Sequence, residues 1–459
     1  MAVSMMLFTR DLRLTDNPAL SAAAAAAAAV VPAFVLDEDL LRHGAAHASR
    51  LSFLHDSLQD LDRSLRAAGG ALVIRRGSPW AAAVIELARQ AGVTSIHVAD
   101  DVSGYAQARL AQLERAAAGE RMAVTRHPGV TVVPPGTVRP AGRSVFQVFT
   151  PYYRRWQEAR RRPAADRPAA VTLPAGLAHG QIPSLSGLTS ARPAAGLQAG
   201  GESAGLARLR SWVPDSLGDY DRARDDLAAD RSSRLSAYLH LGCLSPAAIE
   251  AELSGQPGSA PFVRQLAWRD FFGQLLADRP DAGHRDYRDR GDDWVCDPGA
   301  LEAWRAGQTG FPVVDAAMRQ LAAEGFMHNR ARMIAASFLT KDLYLDWRAG
   351  ARHFMTLLAD GDVASNQLNW QWVAGTGTDT SAHRILNPTR QGQRFDPAGD
   401  YVRRYVPELA GLPAGVIQEP DEAARRRCGY PAPLVDHRVA VTEYRARQRA
   451  GRATRPGRA

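Results

Sequence analysis

Lysine is all but missing from this chain of 459 residues: of 56 lysines and arginines together, Lys341 is the single lysine. Arginine has taken over every other basic position, a sign of nucleotide-composition bias, so arginine counts say little and their positions must carry any argument. Cysteine is also scarce. Cys243, Cys296 and Cys428 are odd in number and far apart, which argues against a disulfide framework or a zinc site and points to a reducing compartment. No GxGxxG follows the first apolar run and no nicotinamide site is visible, so a dehydrogenase domain lacks its main support. The N-terminal apolar run from Ala19 to Leu36 resembles a signal or membrane segment only at first sight. It follows Arg10, Asp11, Arg13 and Asp16, is mostly alanine and contains Pro32. It reads as a surface helix (Ala19 to Ala29) and a buried strand (Val30 to Leu36) of a cytoplasmic protein without a membrane partner.

The length allows two or three domains. Residues 1–133 alternate β-branched runs with alanine-rich helical stretches, the strand candidates being Val3 to Phe8, Val30 to Leu36, Ala71 to Ile74, Ser95 to Ala99 and Ala123 to Arg126. That alternation predicts an α/β domain with an open parallel, Rossmann-like sheet covered on both faces. Residues 134–203 are rich in Pro, Gly, Ala and Ser and read as a long connector draped over the surface and partly disordered. Residues 204–440 read as all-helical. The segment 441–459 closes the chain as a mobile basic tail, six arginines falling between Tyr444 and Ala459. A net charge of +8 permits a polyanionic partner.

The most informative stretch runs from Phe311 to Trp372. Gly310 and Pro312 open a helix that Gly325 closes, and a second from about Met327 to Thr340 places Asn329, Arg332, Met333 and Ala336 on one face. Asp360-Gly361-Asp362 reads as a tight break turning two carboxylates towards one locus. A further helix sets Asn366, Asn369 and Trp370 on one side, with Trp372 pointing roughly the other way. Buried without partners, such groups would each cost several kcal/mol or more, so their concentration argues for a polar, largely planar ligand, and a flavin fits. Taken alone, Asp360 and Asp362 read as a solvated turn or a metal pair, the latter weak for want of further ligands at metal spacing.

The runs WRDFF (Trp268 to Phe272), TGFPVVDAAMRQL (Thr309 to Leu321), MHNRARM (Met327 to Met333), DGDVASN (Asp360 to Asn366) and NWQW (Asn369 to Trp372) resemble the photolyase and cryptochrome family, specifically its class I cyclobutane-dimer photolyases, over nearly the whole chain. The resemblance implies an antenna-binding first domain and an all-α, FAD-binding second domain. It also implies a lyase whose reduced cofactor, FADH⁻, passes an electron to a flipped pyrimidine dimer in UV-damaged DNA, and a monomer.

On that resemblance Ser232, Ser233, Arg234, Leu235 and Ser236 match a phosphate-binding step, Ser232 replacing the usual Thr; read alone, they are an ordinary cap at the start of the first strongly patterned helix of the second domain. Tyr220 matches a residue near the adenine or diphosphate. Asp360, Gly361 and Asp362 fall against the isoalloxazine and ribose, with Asp360 paired to Arg332, and Arg269 and Asn329 join the cofactor set. Asn366 matches the position facing flavin N5. Trp370, Trp347 and Trp294 match a chain of indoles from flavin to surface, although each alone is an ordinary core residue. Trp268 and Trp372 match the pair that sandwiches the flipped dimer over a floor of Met333 and Asn329, and the dimer-type MHN motif carries His328 without the histidine pair of the (6-4) branch.

One position departs. Three residues before the WR motif the family's dimer enzymes usually carry Glu, whereas this chain has Gln265, which keeps an acceptor and loses the charge. Gln there also occurs in animal cryptochromes and (6-4) photolyases, so a photoreceptor or a (6-4) enzyme is the alternative. Contacts to DNA are expected from Arg224, Arg269, Arg330, Arg390 and Arg394. The folate-binding Glu is absent from the DDVSGYAQARL run that begins at Asp100, which favours deazaflavin over methenyltetrahydrofolate as the antenna.

Overall fold

Five strands, β1 (Val3–Leu7), β2 (Ala29–Asp37), β3 (Val73–Gly77), β4 (Val93–Ala99) and β5 (Ala123–His127), form one sheet in the order β3-β2-β1-β4-β5 with all neighbours parallel. The computed structural model describes residues 2–42, 48–381 and 384–453. Every residue of β1 and β2 is buried, as expected of parallel strands covered on both sides. Val3, Met5 and Leu7 pack with Val84, Ile85 and Leu113 of the helices Trp80–Gln90 and Gly104–Gly119. The alternate residues Met6 and Phe8 join Leu20, Phe53 and Leu61 from the helices Pro18–Ala26 and Ala48–Ala67 in a core that runs on into the helical domain.

The connector is not loosely draped. Within 134–203 the helix Phe149–Glu158 buries Phe149, Tyr152 and Trp156, and Trp156 Nε1 donates to Asp270 at 2.9 Å on the helix Ala260–Asp278. Farther on, Val171 N donates to Ala68 O, and Thr172 O and His179 O accept from Val30 N and Ile74 N. The basic tail also differs from expectation, since His437–Ala453 is a helix and Tyr444 is buried; residues 454–459 lie outside those described. Ala440 and Tyr444 form a short buried stripe on this helix, while Arg438, Arg445, Arg447 and Arg449 are exposed. Among the described residues no helix is long and apolar enough to cross a membrane.

Candidate active site

The loop after the helix Trp347–Leu357 builds the centre of the site. Asp362 caps the helix Val363–Ala374 by accepting from Ser365 N at 2.7 Å, and its other oxygen takes Arg10 at 2.6 Å, with the His240 ring 3.9 Å away. Arg10, then His240 and Arg269, hold the Asp362 carboxyl well below the usual range in spite of burial, which raises it. Asp360 takes Arg332 at 2.8 Å and is lowered chiefly by that guanidinium, again against burial. A side chain on Gly361 would strike the Arg50 guanidinium. Among the described residues no group of three His, Cys, Asp or Glu could hold a metal ion, and both aspartates are engaged by arginines, Asp360 by Arg332 and Asp362 by Arg10.

The serine step folds differently from expectation. The helix starts at Ser236 (Ser236–Leu241), and Ser232, Ser233 and Arg234 precede it as a loop with Arg234 in the left-handed region at φ 54. It is not the domain's first helix, since Glu202–Ser216 comes before it. Arg208 on that earlier helix ties the loop down through the carbonyls of Ser232 and Ser233. Leu235 is buried, and Arg234 spends its charge on Asp230 and Glu324. The Ser232 hydroxyl is buried and meets no partner among the described residues, which leaves it free to donate to a phosphate or hydroxyl oxygen. Four residues on, Ser236 lines a small cavity together with Gln198, Phe326 and Asp360. Tyr220 instead packs edge to face in an aromatic cluster with Trp212 and Phe262. A buried hydroxyl without a partner at Ser232, and at the cavity a carboxylate, Asp360, balanced by Arg332, suit the phosphate and hydroxyl groups of a flavin dinucleotide.

On the helix Val363–Ala374, Asn366 is buried and its amide donates to Ala351 O at 3.1 Å and Gln367 Oε1 at 2.9 Å. Asn369 is exposed, so the two amides do not share a surface. Asn329 is exposed at the start of the helix Asn329–Ser337, while Arg332 and Met333 are half-buried and Ala336 is buried. Trp372 meets Trp268 edge to face, centroids 5.3 Å apart at 88°. The two perpendicular rings in contact form a corner, each indole keeping its own pair of faces. Phe149 lies flat on Trp268 at 3.6 Å and 5°, closing one of those faces. Gln265 is half-buried on the same helix as Trp268, its amide turned back to Pro261 O at 3.3 Å.

Several arginines expected on DNA are already engaged. Arg330 pairs with Asp225 at 2.8 Å, Arg224 with Asp221 at 3.2 Å, and Arg269 donates to Val130 O and Leu239 O. Arg390 and Arg394 are exposed.

Trp370 is buried against Phe354 at 4.9 Å and Trp304 at 6.0 Å, over Gly350, where any Cβ would collide with its ring. Gly350 is one turn from Trp347, whose indole N–H donates to Asp286 at 2.8 Å. Trp294 is half-buried and packs on Tyr344. Sequence reasoning missed Arg10, His240, Phe149 and Trp304. Of these only Arg10 carried a local signal: it follows β1, at the carboxyl ends of the strands where the order reverses between β1 and β4, the usual crevice for a ligand in such sheets.

Similarity to known proteins extends along the whole chain. Residues 4–171 match the family model described as DNA photolyase, and residues 262–450 that described as the FAD binding domain of DNA photolyase. A deoxyribodipyrimidine photo-lyase of Streptomyces griseus is 49% identical over 97% of this chain and 98% of its own. A bacterial class III photolyase from Agrobacterium tumefaciens superposes with a TM-score of 0.91 at 33% identity, covering 99% of this chain and 98% of that one. An archaeal photolyase from Sulfolobus tokodaii, whose structure contains two FAD molecules, gives 0.87 at 28% identity over 98% and 100%. With an FAD-binding helical domain behind a doubly wound sheet, and relatives of this identity along its entire length, the chain belongs to the DNA photolyase family.

Proposed function

We propose that the chain splits cyclobutane pyrimidine dimers in DNA with light. Held in the helical domain, reduced FAD would supply the light-driven electron for opening the dimer ring, to be returned once the ring has split. The protein's own part is to receive and hold the lesion. Extrusion of the damaged pair costs a few kcal/mol, and stacking against each of Trp268 and Trp372 returns roughly 1–3 kcal/mol. Gln265 offers its amide to the carbonyl edge of the bases. Asn366 puts a neutral amide beside the reduced ring where a carboxylate would repel it, and Ser232, Ser236, Asp360 and Asp362 hold the rest of the cofactor. Trp370, Trp347 and Trp294 serve to reduce the cofactor and take no part in the repair step.

The observation that carries this reading is that Asn366, Trp370 and Trp372 stand on one helix, Val363–Ala374. Cofactor-facing amide, path indole and lesion-facing indole are thereby fixed relative to one another. Damaged DNA is the partner, and we read the protein as a cytoplasmic monomer. The first domain is read as carrying an antenna, deazaflavin before methenyltetrahydrofolate, because Asp101 is already committed to Arg10 and to Val102 N and Ser103 N. Blue light on the reduced protein with a thymine-dimer oligonucleotide should restore thymine absorbance, and a dark control should not. Bound, photoreducible FAD with no dimer split would sink the repair reading and leave a photoreceptor or another lesion.

A further inference from the structure

We infer that Tyr344 is a further redox residue beyond Trp294, and that Asp292 takes its phenolic proton. The inference rests on the reading of Trp370, Trp347 and Trp294 as an electron path. The Tyr344 and Trp294 rings lie 4.9 Å apart at 40°. Val295 N donates to Tyr344 O at 3.0 Å and Val295 bridges Leu345, so the backbone itself keeps the two rings together. Tyr344 is held in the left-handed region at φ 51, rare for a bulky side chain and tolerated where the surroundings fix it.

A neutral phenol is a poor electron donor unless its proton leaves with the electron. Tyr344 meets that condition: its hydroxyl donates to Asp292 Oδ1 at 2.8 Å, and the same oxygen is held by Gln448 at 2.8 Å from the C-terminal helix. Burial, and then the hydrogen bond to Asp292, raises the phenol above its ordinary pKa, so it keeps its proton until oxidised. The Arg447 guanidinium lies 4.8 Å from the ring centre and opposes a lasting cation on it.

The step balances. A photoexcited oxidised flavin is the oxidant that leaves a radical cation on Trp294. One electron passes from Tyr344 to Trp294, the Tyr344 O–H bond breaks, and the proton forms an O–H bond on the Asp292 carboxylate. The products are a neutral Trp294, a neutral tyrosyl radical and a neutral Asp292 carboxylic acid. Recombination must then recover both electron and proton, so the separated state outlives one that ends on tryptophan.

The test is transient absorption and freeze-trapped electron paramagnetic resonance of the full chain loaded with oxidised FAD after a blue flash. A tyrosyl signal should appear as the tryptophan radical decays. Tyr344→Phe, which keeps the ring, should abolish that signal and lengthen the tryptophan radical; Asp292→Asn and deuterated solvent should each slow the transfer. A tryptophan radical that decays identically in wild type and Tyr344→Phe, or a tyrosyl signal that survives the substitution, overturns the proposal. Trp294→Phe separates the two readings. If it blocks photoreduction while Tyr344→Phe changes nothing, only this proposal fails; if it leaves photoreduction at the wild-type rate, the path reading fails and takes the proposal with it.

Discussion

At the scale of single residues, Lys341 stands where no arginine would serve. It is buried, and its ammonium donates to Ala374 O at 2.6 Å and Tyr444 OH at 2.7 Å. Burial brings its pKa down from 10.5 to about 7, a shift that a guanidinium would strongly resist. The unfolded chain therefore binds this proton up to about pH 10, and the folded one only to about pH 7. Between those values stability rises with pH by about 1.4 kcal/mol per unit, fully gained above the ordinary value and lost as pH falls through the folded one. Lys341→Met removes this dependence. Urea denaturation should find the variant gaining on wild type by several kcal/mol on going from pH 10 to pH 7, and parallel curves would mean that the lysine is charged in the folded protein. Gln265 carries a second prediction. A carboxylate there adds a charged partner for the thymine edge, so Gln265→Glu should raise the repair yield per absorbed photon with the cofactor spectrum unchanged. An equal or lower yield would remove Gln265 from the lesion pocket.

Among elements, the helix Phe149–Glu158 does more than connect. It buttresses Trp268 through Phe149 and binds Asp270 through Trp156, while Val132 N and Val133 N bring two more donors to the same carboxylate. Phe149→Ala should destabilise the fold by about 3–5 kcal/mol. Its specific mark is a weaker grip on dimer-containing DNA than on undamaged duplex, because the wall behind Trp268 is gone. Equal weakening on both substrates would reduce Phe149 to a core residue. This helix also marks where the sequence stops being legible. The inner strands were readable because strands buried on both faces make near-continuous apolar runs, such as the nine buried residues of β2, whereas the edge strands β3 and β5 are only partly buried and carry arginines. Phe149, Tyr152 and Trp156 sit among arginines and prolines, and their burial depends on a partner more than a hundred residues away. Ser232 to Ser236 resembled a cap because local chemistry favours one, yet Arg208 and the turn at Arg234 hold the loop out of the helix. Arg10 had a local signal in its place after β1, but its partner Asp362 lies 352 positions away and could not be read from it.

For the whole molecule, the loop after β1 is the joint between the two domains. Arg10 reaches both Asp101 and Asp362, Arg13 donates to Gly129 O and Gly242 O, and Glu202 accepts from Leu14 N and Thr15 N. Such a joint consumes arginines internally, and the same is true of Arg330 on Asp225, Arg224 on Asp221 and Arg269 on backbone carbonyls. A formal net charge of +8 therefore overstates what DNA can meet at any one face. Among the described residues no ion pair involves Arg390 or Arg394, which are exposed on the helix Pro388–Phe395. Each duplex phosphate that a protein ceases to neutralise lowers the slope of log affinity against log salt by about 0.9. Replacing Arg390 and Arg394 together by Ala should thus reduce that slope by up to about 2, equally for damaged and undamaged duplex. Arg330→Ala should change it far less, because its guanidinium would have to leave Asp225 before meeting a phosphate. Titrations across a range of salt that give both variants the same slope would show that the Arg330 and Asp225 pair opens on DNA.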